Sequence, residues 1–148
     1  MIVIVCGPPA VGKTTVSSLL CDRLEEREKT VRRLDSDAFE RNTYDRLYER
    51  VTSADEDWIV AGTFYKRTWQ ERFQRLEDGF VVHLVADLET CLERNRQRED
   101  AIDEQAVHIV WREFDDPDAD LVVDVTEHSP EEATDCIVAA LEGRFESG

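Results

Sequence analysis

Lysine is almost missing from this chain. It supplies three of the 18 basic residues (Lys13, Lys29 and Lys66), against 34 acidic residues, which leaves a formal net charge of −16. No apolar run approaches the ~20 residues of a membrane span. The apolar stretch at the N-terminus is short, lacks a basic flank and runs straight into a glycine-containing loop, so it reads as a core strand and not a signal peptide. The cysteines (Cys6, Cys21, Cys91, Cys136) show no C-x-x-C spacing, and His83, His108 and His128 are dispersed. That spacing argues against a zinc site and for four small hydrophobes on apolar strand or helix faces in a reducing compartment, hence a cytoplasmic protein. Repeats, low-complexity tracts and Pro/Gly/Ser-rich linkers are all lacking, and 148 residues suit one domain, 1–148.

So acidic a chain repels polyanions at low salt. In molar salt, where the Debye length is ~3 Å, an acidic surface instead keeps a protein dissolved. Low lysine with abundant Asp and Glu fits the second setting, that of the salt-loving archaea. The net charge is then an adaptation to solvent and does not by itself exclude RNA.

One segment carries chemistry without further context. Gly7-Pro8-Pro9-Ala10-Val11-Gly12-Lys13-Thr14 fits G-x-x-x-x-G-K-[ST] in full. A chance match in a chain this long has odds of roughly 0.5% at average residue usage. In such a loop the backbone N–H groups cradle nucleotide phosphates, the lysine reaches the β- and γ-phosphates, and the hydroxyl ligates Mg²⁺. The flanks agree. Ile2-Val3-Ile4-Val5-Cys6 is a β-branched apolar run, and Val11 to Glu28 carries Val16, Leu19, Leu20 and Leu24 at helical spacing. The expected ligands are ATP and Mg²⁺, held by Gly7, Pro8, Pro9, Ala10, Val11, Gly12, Lys13, Thr14 and Thr15.

Strand and helix patterns alternate along the rest. Strands are predicted at Val31 to Leu34, ending at Asp35, and at Trp58 to Ala61, Phe80 to Val85 and Leu121 to Val125. Helices are predicted over 36–50, 66–76, 88–98 and 103–114, with a last one opened by Ser129-Pro130-Glu131-Glu132. Five strands separated by helices predict a five-stranded parallel sheet with helices on both faces, the α/β class of P-loop nucleotide kinases. Ligands of such sheets bind at the C-terminal strand ends.

The residues after each strand are therefore the informative ones. Asp35-Ser36-Asp37 follows the second strand, where one carboxylate takes a proton from an acceptor hydroxyl and the other serves the metal side. Asp37 is assigned the base and Asp35 the metal-side role; helix capping by Asp35 or Ser36 competes with this. Arg41, one helical turn from Asp37, is expected to clamp an anionic acceptor or the transferring phosphoryl group. After the third strand, Tyr65, Lys66, Arg67 and Arg72 form a basic group for an acceptor's phosphate or an RNA backbone. Arg94 and Arg98, four apart on one predicted helix face, suit a lid around 90–105 that closes over ATP. Trp58, Trp69 and Trp111 read as core or rim.

With these motifs in place, the sequence resembles a known family. The loop, the acids after strand two, Gly62-Thr63-Phe64-Tyr65-Lys66-Arg67-Thr68-Trp69, the run Leu88-Glu89-Thr90-Cys91-Leu92-Glu93-Arg94-Asn95-Arg96-Gln97-Arg98, and Phe114-Asp115-Asp116-Pro117 resemble the kinase domain of archaeal and eukaryotic seryl-tRNA(Sec) kinase and the related Elongator-associated tRNA-modification ATPase. Adenylylsulfate kinase, shikimate-type kinases and polynucleotide kinase are similar at greater distance. The resemblance implies ATP-dependent phosphorylation of a hydroxyl on a small molecule, a nucleotide or an RNA. It carries over Gly7, Gly12, Lys13, Thr14 and Thr15 for Mg-ATP, Asp37 or Asp35 for the acceptor side, and Arg94 and Arg98 for the lid. This chain departs from the pattern in having Ala61-Gly62 where the third strand ends in aspartate, so Asp35 or Asp37 is expected to take over at the metal. It also has Asp37-x-x-x-Arg41 in place of D-x-x-R, and it runs only to Gly148, without the C-terminal RNA-binding region of those relatives. A second reading, from a different class, is an ATP-hydrolysing regulatory module that acts with an RNA or protein partner.

Overall fold

The computed structural model describes residues 1–36 and 39–146. Five strands form one sheet: β1 (Ile2–Cys6), β2 (Val31–Asp35), β3 (Asp57–Gly62), β4 (Gly79–Val85) and β5 (Leu121–Asp124). Every pairing is parallel and the spatial order is β2-β3-β1-β4-β5. The helices are α1 (Lys13–Glu26), α2 (Thr43–Thr52), α3 (Arg67–Gln74), α4 (Leu88–Arg96), α5 (Glu104–Glu113) and α6 (Pro130–Leu141), the last continued by a π-helical turn, Glu142–Glu146. The predicted class holds: a parallel sheet with helices on both faces. No helix among the described residues is long and apolar enough to cross a membrane.

The alternation of β1 divides the core. Val3 and Val5 face α1 and α6, packing with Val16, Leu20, Ile137 and Leu141; Ile2, Ile4 and Cys6 face the other way, toward Leu47, Val51, Phe64 and Phe73. A central parallel strand covered on both faces has to be apolar at every position, and β1 is buried throughout. Because β1 lies between β3 and β4, the chain leaves it toward one half of the sheet and later returns to the other. Its C-terminal end is thus the crevice where such sheets bind ligands. A surface cavity lined by Ile2, Val51, Ser53 and Asp78 opens at the opposite end of the strands.

Several boundaries differ from expectation, each for a local reason. α1 begins at Lys13 and not Val11, because Gly12 at its N-cap is left-handed (φ 103°). Among the described residues of the predicted 36–50 helix, 36 and 39–42 are not α-helical. That helix starts at Thr43, behind a left-handed Asn42 (φ 52°). Asp35 ends β2 and α2 does not begin until Thr43, so neither Asp35 nor Ser36 caps that helix. α4 stops at Arg96 with Gln97 as C-cap, because the buried Asn95 amide takes hold of a later peptide. Its nitrogen donates to the Ile102 carbonyl at 2.7 Å, and its oxygen accepts from the Ile102 N–H at 3.0 Å.

The predicted start of α6 forms as a full capping box. Ser129 Oγ accepts from the Glu132 N–H at 3.1 Å, and Glu132 accepts from the Ser129 N–H at 3.0 Å, with Pro130 at the first helical position. Ser129→Ala is expected to cost about 1 kcal/mol of unfolding free energy, read from urea midpoints at constant slope. An unchanged midpoint would mean that the packing of α6, and not its cap, sets its stability.

The cysteines do not behave alike. All four are free; Cys6 and Cys91 are buried as expected, but Cys21 is half-buried and Cys136 is exposed on α6. Trp58 is core, Trp69 is half-buried against Tyr44, and Trp111 is a rim residue whose indole N–H donates to the Ala86 carbonyl at 2.9 Å.

Candidate active site

The loop after β1 is shaped by one close approach and two left-handed residues. A Cβ on Gly7 would stand 2.5 Å from the Leu84 carbonyl oxygen of the neighbouring strand β4, so only glycine lets the chain turn there. Ala10 is held left-handed (φ 65°) and Gly12 likewise (φ 103°). Such residues cost of order 1–3 kcal/mol where a Cβ is present and persist only when their surroundings fix them. The loop leads directly into the first turn of α1, whose N–H groups have no intrahelical partner. Thr14 and Thr15 are exposed there.

Lys13 reaches back over the loop. Its ammonium donates to the Gly7 carbonyl at 3.0 Å and the Pro8 carbonyl at 2.8 Å. The side chain is half-buried as a whole, but the ammonium itself is enclosed by the loop. Burial pushes its pKa down from 10.5 to about 8; the attraction of Cys6 and Asp35 opposes that fall and the nearby Arg98 charge adds to it. A cation held at a desolvation cost inside a ring of carbonyls and amides is poised to gain from an anion.

Asp35 enters the same site from β2. Its carboxylate accepts the Thr14 hydroxyl at 3.3 Å. The register pairs Asp35 with Ala61 on β3, so the carboxylate stands beside the strand end that lacks one. Hydroxyl and carboxylate together are hard oxygen donors of the kind that suits Mg²⁺.

Arg94 also meets the loop. Its guanidinium donates to the Val11 carbonyl at 3.0 Å and the Val125 carbonyl at 3.1 Å, joining α4, the phosphate loop and the end of β5. Arg98 does not share a helix face with it, because α4 has already ended; Arg98 sits in the following loop, paired with Asp100 at 3.0 Å. Arg96 pairs with Glu104. Arg41 is exposed and lies outside any helix. Asp37 itself lies outside the described residues. Arg67 opens α3 at the C-terminal end of β3, its N–H donating to Asp115 at 2.9 Å, beside Lys66, whose ammonium lies over the Tyr65 and Trp69 rings at 5.6 and 5.0 Å. Arg72 pairs with Asp45 over the Tyr48 ring.

Residues 2–117 match the family model described as an AAA domain (AAA_33). The chain belongs to this AAA-domain family. A search of curated proteins returns no match. Among solved structures, this AAA domain is similar to a gluconokinase from Sinorhizobium meliloti 1021, with a TM-score of 0.79, 16% identity, and coverage of 98% of this chain and 93% of that one. It is similar to the Mycobacterium tuberculosis APS kinase, solved with AMPPNP and APS, with a TM-score of 0.77, 20% identity and coverage of 95% and 96%. It is also similar to shikimate kinase from Aquifex aeolicus, with a TM-score of 0.65, 22% identity and coverage of 100% of both chains. At these identities the likeness establishes the fold of the AAA domain, that of P-loop kinases.

Sequence patterns did not reveal two polar residues that hold this end of the sheet together. Asn95 turns the chain after α4. Gln70, buried on α3, donates to the Phe64 carbonyl at 2.7 Å and the Asp115 carbonyl at 2.6 Å. Each had a faint signal: Asn95 lies four residues after the buried Cys91, and Gln70 three before the buried Phe73, so both put an amide on an otherwise apolar helix stripe.

Proposed function

We propose that this chain is a phosphotransferase that moves the γ-phosphoryl group of Mg-ATP to a hydroxyl acceptor. The observation that carries this reading is the Thr14–Asp35 contact, which brings a carboxylate from the second strand to the hydroxyl of the phosphate loop. Hydrolysis alone needs no acceptor side, whereas here the end of a second strand, with Asp35, adjoins the phosphates' expected position.

The residues divide the work as follows. Gly7 to Thr15 bind the triphosphate through backbone N–H groups, and Lys13 leaves the Gly7 and Pro8 carbonyls to neutralise it. Thr14 and Asp35 would hold Mg²⁺, which when bound would draw charge from the phosphate oxygens. Asp37 accepts the acceptor's proton while the acceptor oxygen bonds to γ-phosphorus and ADP departs. Arg94 and Arg98, on the segment around 90–105, offset the charge that spreads over the transferring group. Arg67, and Arg41 from its loop, face the acceptor. Positioning and electrostatics supply most of the rate in such transfers. Acceptors in keeping with the reading are small metabolites, nucleotides and, through the resemblance to seryl-tRNA(Sec) kinase, RNA.

The test is transfer from γ-labelled ATP in molar KCl with Mg²⁺, offered total RNA and a small-metabolite extract in separate tubes. Label in either establishes a kinase and its acceptor class. Label found only as free phosphate overturns the transferase reading in favour of an ATP-driven regulatory module.

Lys13 also gives a pH signature. Free protein loses the ammonium's charge as pH rises through about 8, and the triphosphate favours the charged form. Above that pH, binding is therefore expected to take up a proton and to weaken. Calorimetry of Mg-AMP-PNP binding at pH 8.5, in two buffers of different ionisation enthalpy, reads the uptake directly. Equal heats in both buffers would place the titration elsewhere.

A further inference from the structure

The Phe64–Arg67 loop, at the acceptor end of β3, is fixed in an unusual way. Phe64 is buried and left-handed (φ 50°), which a bulky residue adopts only when held. Its N–H donates to the Tyr44 hydroxyl at 3.0 Å and its carbonyl accepts from Gln70. The next residues are tied to the chain leaving α5: the Asp115 N–H donates to the Tyr65 carbonyl at 2.8 Å, and the Asp115 carboxylate accepts the Arg67 N–H at 2.9 Å. Gln70 spans the joint, since one buried amide nitrogen serves both Phe64 and Asp115.

The other end of the same hairpin is tied to the phosphate loop. Arg94 on α4 holds the Val11 and Val125 carbonyls. Asn95 grips Ile102, which fixes the turn between α4 and α5. Asp103 caps α5 through the Gln105 N–H at 2.7 Å. The α4–α5 hairpin therefore bridges the phosphate loop and the acceptor-side loop, with hydrogen bonds at both ends and the Asn95–Ile102 pair between.

We propose that Gln70 and Asp115 are positioning residues that clamp the Phe64–Arg67 loop to the end of this hairpin, so that filling the phosphate loop orders the acceptor side. This rests on the nucleotide-binding reading above. A triphosphate in the loop competes with the Val11 carbonyl for Arg94. Any shift of α4 then passes through the Asn95–Ile102 turn and α5 to Asp115, and from there to the Arg67 and Tyr65 backbone. Gln70 and Asp115 touch no reacting atom in this scheme; they decide where Lys66 and Arg67 stand.

Hydrogen exchange with Mg-AMP-PNP as the probe tests this. In wild-type protein the nucleotide is expected to slow exchange at residues 10–14, and also to slow the Arg67 and Asp115 amides by about fivefold or more. In Gln70→Met, which removes the donor at nearly constant volume, protection at 10–14 is expected to remain and the response at 67 and 115 to vanish. If Gln70→Met does not fold, exposed Asp115 provides the same test: Asp115→Ala loses the response, and Asp115→Asn, which still offers an acceptor oxygen, keeps it. Protection at 10–14 without any response at 67 and 115 in wild type overturns the clamp alone, as does an equal response in the Gln70 and Asp115→Ala variants. No protection at 10–14 overturns the nucleotide-binding reading itself. A merely structural Gln70 would alter exchange with and without nucleotide alike.

Discussion

Lys13→Ala is expected to leave the fold in place and to end phosphoryl transfer. The lysine opens α1, where alanine is the better helix former, and its charge is held at a desolvation cost, so its removal does not undermine the core. Function is another matter. The Lys13 ammonium is the charge the loop itself contributes, suspended between the Gly7 and Pro8 carbonyls. Removing one preorganised stabiliser of transition-state charge costs about 10²–10³ in turnover; because this lysine also meets the ground-state phosphates, affinity for Mg-AMP-PNP falls with it. Lys13→Arg is expected to fail nearly as badly, since a planar guanidinium does not fit a niche that two backbone carbonyls shape for a compact ammonium. The measurement is initial rate from labelled ATP together with a melting curve. Wild-type turnover by a folded Lys13→Ala protein would remove the phosphate loop from the mechanism.

Asp35→Asn is expected to have the second-largest effect, with a different signature. Asparagine keeps an oxygen that accepts the Thr14 hydroxyl, so the geometry survives and only the charge is lost. β3 ends in Ala61-Gly62, without a carboxylate, and the register puts Asp35 alongside Ala61. If Asp35 serves the metal in place of that missing group, turnover drops about 10²-fold, and the Mg²⁺ concentration for half-maximal rate rises. Asp37→Asn is expected to cut turnover while leaving that Mg²⁺ midpoint and nucleotide affinity near wild type, as suits a base that acts only on the acceptor. A magnesium titration of the two variants beside wild type separates the roles. An unshifted midpoint for Asp35→Asn, with a raised one for Asp37→Asn, would exchange them.

Where recognition depends on order along the chain, the sequence was sufficient. The phosphate loop is eight consecutive residues whose spacing sets both the backbone path and the lysine's reach. β1 declared itself because a strand covered on both faces has no polar position. The Ser129 cap was legible because its two partners lie three residues apart. By itself the sequence determined the class of fold, the number of strands and the glycine loop that leads into α1.

What it did not determine is where separate strand ends and helix ends meet. Arg94 and Arg98 have helical spacing, but the Asn95 amide bonds Ile102 seven residues on, and that contact ends α4 before Arg98 is reached. Arg41 was placed by extending a helical pattern back over residues that do not all belong to it. The Thr14–Asp35 contact joins residues 21 apart, and the Gln70–Asp115 clamp joins residues 45 apart. Neither pair has a periodic signature. Pattern reading sees the hydrophobic burial that repeats every two or 3.6 residues. A lone polar contact across the sheet end repeats nowhere, so only the tertiary structure decided that Asp35 meets the loop and that Gln70 ties α3 to the chain leaving α5.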